Sequence, residues 1–234
     1  MMRAARTFAL LVAAVALAGC AAGPTRDDPF EPFNRAMYAV HEPIDRNVVR
    51  PFIDAYTKVV PSPVRQAISN FNNNIDDLFS AINDGLQGKP DKMGNDLGRV
   101  LINSGLGLGG LIDIASEAGV ERGGEDFGQT FGVWGFGQGP YLFIPLFGPT
   151  TVRDGSGWIV RLYWGPVGYI PDVPLRNTLY GLGAVDMRYQ AQDAVSLVDQ
   201  AALDRYAFIR RAYLQRRLYQ VYDGNVPPDK QEEK

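Results

Sequence analysis

Along most of the chain, apolar residues recur three and four positions apart, the spacing of one face of an α-helix. The clearest segment begins at Ser62, read as an N-cap with Pro63 after it, and ends at Gly88-Lys-Pro90. Asn and Asp residues oppose its apolar stripe, so the segment predicts a long amphipathic helix. The stripe comprises Val64, Ala67, Ile68, Phe71, Ile75, Leu78, Phe79, Ile82 and Leu86, and the polar side comprises Asn72, Asn73, Asp76, Asp77 and Asp84.

Four other segments have helical spacing: residues 30–44, 48–60, 91–101 and 186–222. Pro43 is expected to limit the first of them, and Pro51 to kink or break the second. Asp186 is expected to cap the last. No alternating strand pattern of any length occurs, so the predicted fold class is mainly α. The last helix carries a group of arginines that suit either a solvated helix end or contact with phosphate headgroups, and both interpretations stay open: Arg205, Arg210, Arg211, Arg216 and Arg217.

Two stretches rich in Gly and Pro interrupt these helices. Residues 103–119 are too apolar for an ordinary solvent loop and too rich in Gly for a stable helix. Residues 127–152 contain no charged residue but hold six Gly and three Pro. A membrane-spanning helix is rejected there, because such a backbone would leave polar groups unsatisfied in lipid. Residues 153–157 predict a turn, and residues 158–182 are rich in Trp and Tyr.

The only cysteine of the 234 residues is Cys20, which lies at the end of an N-terminal export signal. Arg3 and Arg6 precede an apolar run of eleven residues, which is too short to span a bilayer. The sequence Leu17-Ala-Gly-Cys20 resembles a bacterial lipobox, which implies a lipidated Cys20, and Ala21 favours sorting to the outer membrane; the alternative is a plain secretory signal. The predicted segments are a signal peptide (1–19), a lipidated tether (20–29), a helical domain (30–222) and a disordered tail (223–234).

Composition excludes several classes of function. One Cys and one His leave no disulfide framework and no Cys/His metal site, and a net charge of −3 argues against nucleic-acid binding. Gly105, Gly107 and Gly110 match a dinucleotide fingerprint but lack the strand that should precede it. His41-Glu42 lacks the second His of a zinc-protease motif. We therefore predict no catalytic, cofactor-binding or metal residue, although a hydrolase that uses carboxylates alone stays open.

Several spaced blocks of the chain resemble the MlaA/VacJ family of outer-membrane lipoproteins, over roughly residues 27–220. No single block decides the resemblance, but their order and density make coincidence improbable. The blocks are Asp28-Pro-Phe-Glu-Pro-Phe-Asn-Arg-Ala-Met-Tyr38, Arg50-Pro51 with Tyr56, Val64-Arg65, Ser69-Asn-Phe71, Leu86-Gln-Gly-Lys89, Asn103-Ser-Gly-Leu-Gly-Leu-Gly-Gly-Leu-Ile-Asp113, Asp126-Phe-Gly-Gln-Thr130, Gly139-Pro-Tyr141, Pro145-Leu-Phe-Gly148 and Arg153-Asp154.

The resemblance implies a single ring-shaped domain of amphipathic helices, with the Gly/Pro-rich segments around a central channel. The protein would lie in the inner leaflet of the outer membrane, take up phospholipids misplaced in the outer leaflet, and pass them to the periplasmic carrier MlaC. Family members also associate with trimeric porins. The stretch 103–119 matches the position of a mobile hairpin that controls the channel. The implied gating residues are Leu106, Leu108, Leu111 and Ile112, and the implied pore-wall residues are Phe131, Trp134, Tyr141 and Phe143.

Two hypotheses of different classes follow from the sequence. The first is a lipid conduit without enzymatic activity, and the alternative is a structural lipoprotein that scaffolds porins. One stretch, Val40-His41-Glu42-Pro43, departs from the residues that relatives often carry after Met37-Tyr38. Because Pro43 should shorten the first helix, channel regulation through this segment is expected to differ here.

Overall fold

The computed structural model describes residues 28–231, so the predicted signal peptide, Cys20 and most of the tether lie outside the described part of the chain. Helices dominate the described residues, which confirms the mainly α fold class. The helices are α1 (Glu31–Ile44), α2 (Arg50–Val59), α3 (Ser62–Leu86), α4 (Pro90–Gly105), α5 (Ile114–Glu117), α6 (Phe127–Val133), α7 (Val152–Trp164), α8 (Val173–Gln190), α9 (Gln192–Ala201), α10 (Arg205–Val221) and α11 (Pro228–Gln231). Within residues 28–231, no helix combines the length and the hydropathy needed to cross a bilayer.

The first helix runs through Pro43, which was expected to limit it. Pro43 lies inside α1, which continues to Ile44 and passes into a π-helical turn, Asp45–Val49, before α2 begins. The N–H of Arg50 donates to the carbonyl of Asp45, five residues back. This wider turn lies just before Pro51 and relieves the clash between the proline ring and the preceding turn. The prediction that Pro43 shortens the helix is therefore wrong, whereas an irregularity at Pro51 is confirmed.

Helix α3 directs its polar side inward. Asp77 and Asp84 are buried against α4, whereas Ile82 and Leu86 of the apolar stripe are exposed. The helix begins at Ser62, and Pro61 precedes it as N-cap without a side-chain hydrogen bond, so the prediction of Ser62 as cap is wrong. Most of the buried positions of this helix are thus polar, although Phe79 of the apolar stripe is buried as well.

The stretch 127–152 contains short regular elements that the sequence pattern did not indicate. After α6 come two antiparallel strands, β1 (Tyr141–Ile144) and β2 (Gly148–Thr151), with Tyr141 opposite Thr151. Four residues are too few to display an alternating pattern, and Pro and Gly dilute it further. The predicted turn at 153–157 is helical, because Thr151 caps α7 by accepting a hydrogen bond from the N–H of Asp154.

The predicted C-terminal helix is divided into parts of α8, α9 and α10. Asp186 is not a cap: it is buried within α8 and accepts hydrogen bonds from Ser69, Asn72 and Gln190. Asp204 instead caps α10 through the N–H of Ala207. The break between α9 and α10 therefore lies where a new cap begins, inside a run that looks continuous by periodicity.

Part of the predicted disordered tail is structured. The carboxylate of Asp223 pairs with Lys89 and Lys92 at 2.6 Å each, and α11 follows after Pro227. These ion pairs tie the segment after α10 back to the start of α4. Residues 232–234 of that predicted tail lie outside the described residues.

A small apolar core joins β1 to α1 and α10. Tyr141 and Phe143 pack with Tyr206, and the amide of Asn34 bridges them to the helix by donating to the carbonyl of Tyr141 at 2.9 Å and accepting from the N–H of Phe143 at 3.0 Å. Asp28 is fully buried beside them and accepts from Asn34 and from the hydroxyl of Tyr206. The beginning of the described chain is thus fixed to its last long helix.

Arg217 connects three elements that are far apart in sequence. Its guanidinium donates to both carboxylate oxygens of Asp126, at 2.6 and 2.8 Å, and to both of Asp154, at 3.0 Å each. Burial opposes ionisation of these two aspartates, but Arg217 outweighs it and lowers the pKa of each. The bidentate pairs fasten α10 to the starts of α6 and α7.

Replacing Arg217 by Gln should destabilise the fold by about 2–4 kcal/mol, because the buried Asp154 would keep only Arg153 as its cation and the half-exposed Asp126 would lose its bidentate partner. The exposed neighbour Arg216 gives the matched control: Arg216→Gln should change the free energy of unfolding by no more than about 0.5 kcal/mol. Denaturant unfolding followed by circular dichroism measures both. Equal stability of the two variants would contradict this role of Arg217.

Candidate functional site

In the described part of the molecule, many polar side chains are buried and many large apolar side chains are exposed, the reverse of an ordinary soluble protein. Its fully buried side chains are mainly polar or charged, including Asp77, Asp96 and Arg99. Large apolar side chains are exposed instead, and many lie on α7 and the segment after it: Trp158, Ile159, Leu162, Tyr163, Trp164, Tyr169, Val173 and Leu175. Soluble monomers seldom expose apolar surface on this scale, so these faces point to an apolar surrounding or to a partner.

One strongly exposed turn of this kind, here called the apolar loop, comprises residues 106–112 between α4 and Asp113. Leu106 is 71% exposed and Leu108 69%, and Leu111 and Ile112 are also exposed. All four residues predicted for a gating hairpin therefore lie together and outward. The loop is closed by its own backbone, since the N–H of Gly110 donates to the carbonyl of Asn103 at 2.8 Å.

The backbone of the apolar loop is strained at one residue and depends on glycine at two others. Leu108 has a φ of +54°, and Gly109 and Gly110 have φ values of +74° and +92°. Gly110 also lies against α3, where a Cβ would come within 2.8 Å of the amide nitrogen of Asn74. Nearby, the side chain of Asn70 donates to the carbonyl of Leu111 at 3.0 Å. Two asparagines of α3, one turn apart, thus lie directly against the apolar loop.

The apolar loop is mounted on a buried charged base. Arg99 of α4 is 0% exposed and donates to Asp77 at 2.9 Å and to both oxygens of Asp113 at 3.1 Å. Asn103 donates to Asp113 at 2.9 Å and accepts from the N–H of Ala115. The two ends of the apolar loop are thereby joined to each other and to α3. The exposed side chains of the apolar loop contribute little to fixing its position.

Asp113 is ionised throughout the neutral range. Burial opposes its charge, but hydrogen bonds from Ser116, Asn103 and Arg99 outweigh that effect and lower the pKa of the carboxyl to about 2. The same carboxylate caps α5 by accepting from the N–H of Ser116 at 3.1 Å. One aspartate therefore ends the apolar loop and starts the next helix.

The four predicted pore-wall residues lie in two different environments. Trp134 is half exposed at the end of α6, where its indole N–H donates to the carbonyl of Leu86 at 3.1 Å, and Phe131 is partly exposed beside it. Tyr141 and Phe143 are only 2% and 3% exposed. These two residues present no surface to a channel here, because the strand that carries them is packed between α1 and α10.

Cavities lie elsewhere in the described structure. One of about 620 Å³ lies at the break between α9 and α10 and is lined on both sides by charged residues, among them Arg35, Glu42 and Asp204. A smaller one of about 310 Å³ is lined by Leu162, Tyr163 and Tyr180. Neither is lined by the apolar loop or by the predicted pore-wall residues.

The arginines of α10 are largely engaged within the protein. Arg217 holds the two aspartates described above, and Arg205 pairs with Glu42 at 2.6 Å. Arg210 lies 3.4 Å from Asp28. Neither of the two sequence interpretations, a solvated helix end or a headgroup site, describes these contacts. Periodicity did show that these arginines share a helix, but their acidic partners lie far away in the sequence.

Reactive chemistry is sparse in the described residues. Within residues 28–231, no group of three or more His, Cys, Asp and Glu is arranged to hold a metal ion. His41 supports the turn between the strands, where its Nδ1 accepts from the N–H of Leu146 at 3.2 Å. Burial lowers its pKa, so the imidazole is neutral at pH 7 and suited to that acceptor role.

Comparison with known proteins adds a consistent set of matches. The family model described as MlaA lipoprotein matches residues 26–220. The intermembrane phospholipid transport system lipoprotein MlaA of Escherichia coli K12 is 33% identical over 95% of this chain and 91% of its own length. The protein of the same name from Haemophilus influenzae is 33% identical over 98% and 96%.

A solved structure agrees with the sequence matches. It is reported under the words "Structural basis for maintenance of bacterial outer membrane lipid asymmetry", with a TM-score of 0.72 and 32% identity. The alignment covers 84% of this chain and all of that one. A single ring-shaped domain is consistent with this match.

Substituting Gly110 should loosen the apolar loop more than substituting Gly109. Both glycines have positive φ, so each change to Ala costs about 1–2 kcal/mol of backbone strain, but only the methyl group added at position 110 would also meet Asn74. Hydrogen exchange should report the difference at the N–H of residue 110, which bonds to the carbonyl of Asn103, and at the N–H of Ile112, which bonds to that of Gly107. We expect roughly tenfold faster exchange in Gly109→Ala and a larger increase in Gly110→Ala; the opposite order would contradict the packing of Gly110 on α3.

Proposed function

This chain belongs to the MlaA lipoprotein family, and we propose on that premise that it serves intermembrane phospholipid transport at the outer membrane. It removes phospholipids that have strayed into the outer leaflet, sends them toward the inner membrane, and so maintains lipid asymmetry. The protein is thus surrounded by a lipid bilayer, and the molecule that it transports is a phospholipid.

The observation that carries this proposal is the apolar exterior over a polar interior. Apolar faces on α7, on the following segment and in the apolar loop need an apolar surrounding, and acyl chains supply one. Trp158, Trp164 and Tyr169 are residue types that favour the boundary between acyl chains and headgroups. These faces are proposed to insert into one leaflet of the membrane.

We further propose that the protein acts as a conduit without enzymatic activity. A transported phospholipid needs apolar contacts for its chains and a polar route for its headgroup, and no bond is made or broken. The apolar loop, through Leu106, Leu108, Leu111 and Ile112, controls passage. Phe131 and Trp134 remain proposed wall residues because both keep exposed surface. The lipid then passes to the periplasmic carrier MlaC.

Lipid anchoring at Cys20 would keep the body close to the membrane. Asp28, which is fixed by Asn34 and Tyr206, lies eight positions after Cys20. An extended chain of that length spans at most about 28 Å. We propose that the anchor and the apolar faces together place the protein in the inner leaflet, approached from the periplasm, beside a trimeric porin.

Charging the apolar loop tests the conduit. Leu108→Asp should reduce phospholipid transfer from the membrane-embedded protein to MlaC about tenfold or more, since a carboxylate at a lipid-facing site costs about 2.5–3.5 kcal/mol. Asp also tolerates the positive φ of this position. The matched control is Leu203→Asp, a fully exposed leucine at the break between α9 and α10, which should leave transfer near the level of the unmodified protein. Transfer is measured with labelled phospholipid in reconstituted membranes.

Co-purification of the porin separates the conduit from the alternative, a structural lipoprotein that scaffolds porins. A conduit predicts that Leu108→Asp loses transfer and keeps the porin. Equal loss of both, in a variant with an unchanged circular dichroism spectrum, would support scaffolding and contradict the proposal. Normal transfer in Leu108→Asp would remove the apolar loop from the mechanism.

A further inference from the structure

A continuous row of polar side chains joins α3 to α4; we call it the polar seam. At the end near the apolar loop, Asn74 donates to Ser104 at 2.9 Å, and in the middle Arg99 donates to Asp77. At the far end lie two more aspartates, Asp84 of α3 and Asp96 of α4, both 0% exposed. The middle of the polar seam pairs opposite charges, whereas its far end brings two acids together.

These two carboxyl groups have few donors. Asp96 accepts one hydrogen bond through Oδ1, from the N–H of Gly123 at 3.0 Å, and no donor within the described residues reaches its Oδ2. No N–H donor of that part of the chain reaches either oxygen of Asp84. Asp96 lies close enough to act on Asp84 through its charge and through a hydrogen bond between the two side chains. Two carboxyl groups form a hydrogen bond only when one of them carries a proton.

The nearby cations are engaged with other acids. Lys89 pairs with Glu125 at 3.1 Å and with Asp223 at 2.6 Å. Lys92 pairs with Asp223 at 2.6 Å and lies 3.6 Å from Glu125. Glu125 and Asp223 thus balance the two lysines, and the charges of Asp84 and Asp96 have no counter-ion of their own among the described residues. Burying both as carboxylates would be very costly, so binding a proton is the favourable state.

We propose that Asp84 and Asp96 form a proton-binding site that holds one shared proton in mildly acidic solution and fastens the far end of the polar seam. The bound proton supplies the hydrogen bond between the two carboxyls. Its loss places two like charges in contact between α3 and α4, which weakens their packing. This inference concerns the folded protein itself and does not depend on the proposed lipid transport.

The surroundings give the direction of the pH dependence. Burial, then the charges of Asp96 and Glu125 and the hydrogen bond with Asp96, raises the pKa of Asp84 to about 7, while Lys92 acts in the opposite direction. The folded state thus holds this proton more tightly than the unfolded chain, in which an Asp titrates near pH 4. The stabilisation is complete below about pH 4, declines as the pH rises, and is lost once the pH has passed about 7.

The test compares Asp84→Asn with Asp91→Asn. An Asn at position 84 donates an N–H to Asp96 at every pH and so replaces the shared proton, whereas Asp91 is exposed at the start of α4 and serves as the control. Melting temperatures of the mature chain in detergent micelles are measured from pH 5 to 8.5. The gain of Asp84→Asn over the unmodified protein should grow up to about pH 7 and then stay constant, and Asp91→Asn should show no such growth.

A second measurement begins with the unmodified protein. In unmodified protein labelled with ¹³C at the aspartate carboxyl carbons, one or two of these carbons should titrate near pH 7, far above the ordinary range of aspartate. That signal should persist in Asp91→Asn and be absent in Asp84→Asn. The proposal would be overturned if the difference in melting temperature between Asp84→Asn and the unmodified protein did not change with pH. It would also be overturned if no aspartate titrated above pH 5.5, and neither result depends on the transport experiments.

Discussion

The structure depends on one constraint: the apolar side chains face outward, so polar groups must join the helices inside. Arg99 shows what this requires. Its fully buried guanidinium is shared between Asp77 and Asp113, and it also donates to Ser116 and the carbonyl of Val120. A buried charge is tolerated only when its hydrogen bonds are this complete, because burying an unpaired one costs several kcal/mol.

The same constraint separates the rigid part of the candidate site from the part that is free to change. Asn103 and Asp113 fix the two ends of the apolar loop, whereas Leu106 and Leu108 bury little surface of their own. Local stability follows buried contacts, so the tip opens more easily than the base. A loop whose tip can move while its base stays in place is what the proposed control of lipid passage needs.

The blocks on which the family resemblance rests have a physical counterpart in these buried contacts. Asn34 bridges α1 to β1, Gln87 donates to Glu125 and Thr130, and Asp154 binds Arg217. Each is an irregular polar position in a block that periodicity alone left unexplained. The pattern of apolar residues located the helices, but the role of these polar residues became visible only with their partners.

The sequence by itself determined most of the helices, the apolar Gly-rich stretch that interrupts them and the rejection of a membrane-spanning helix in the stretch 127–152, because spacing, Gly and Pro act over a few residues. It did not determine the break before Asp204, the burial of Tyr141 and Phe143, or the inward turn of the polar faces. Those features depend on partners far away in the chain, such as Arg217 and Asp126, which are 91 positions apart. Only the tertiary structure decides which face of an amphipathic helix is buried, since periodicity is the same for either choice.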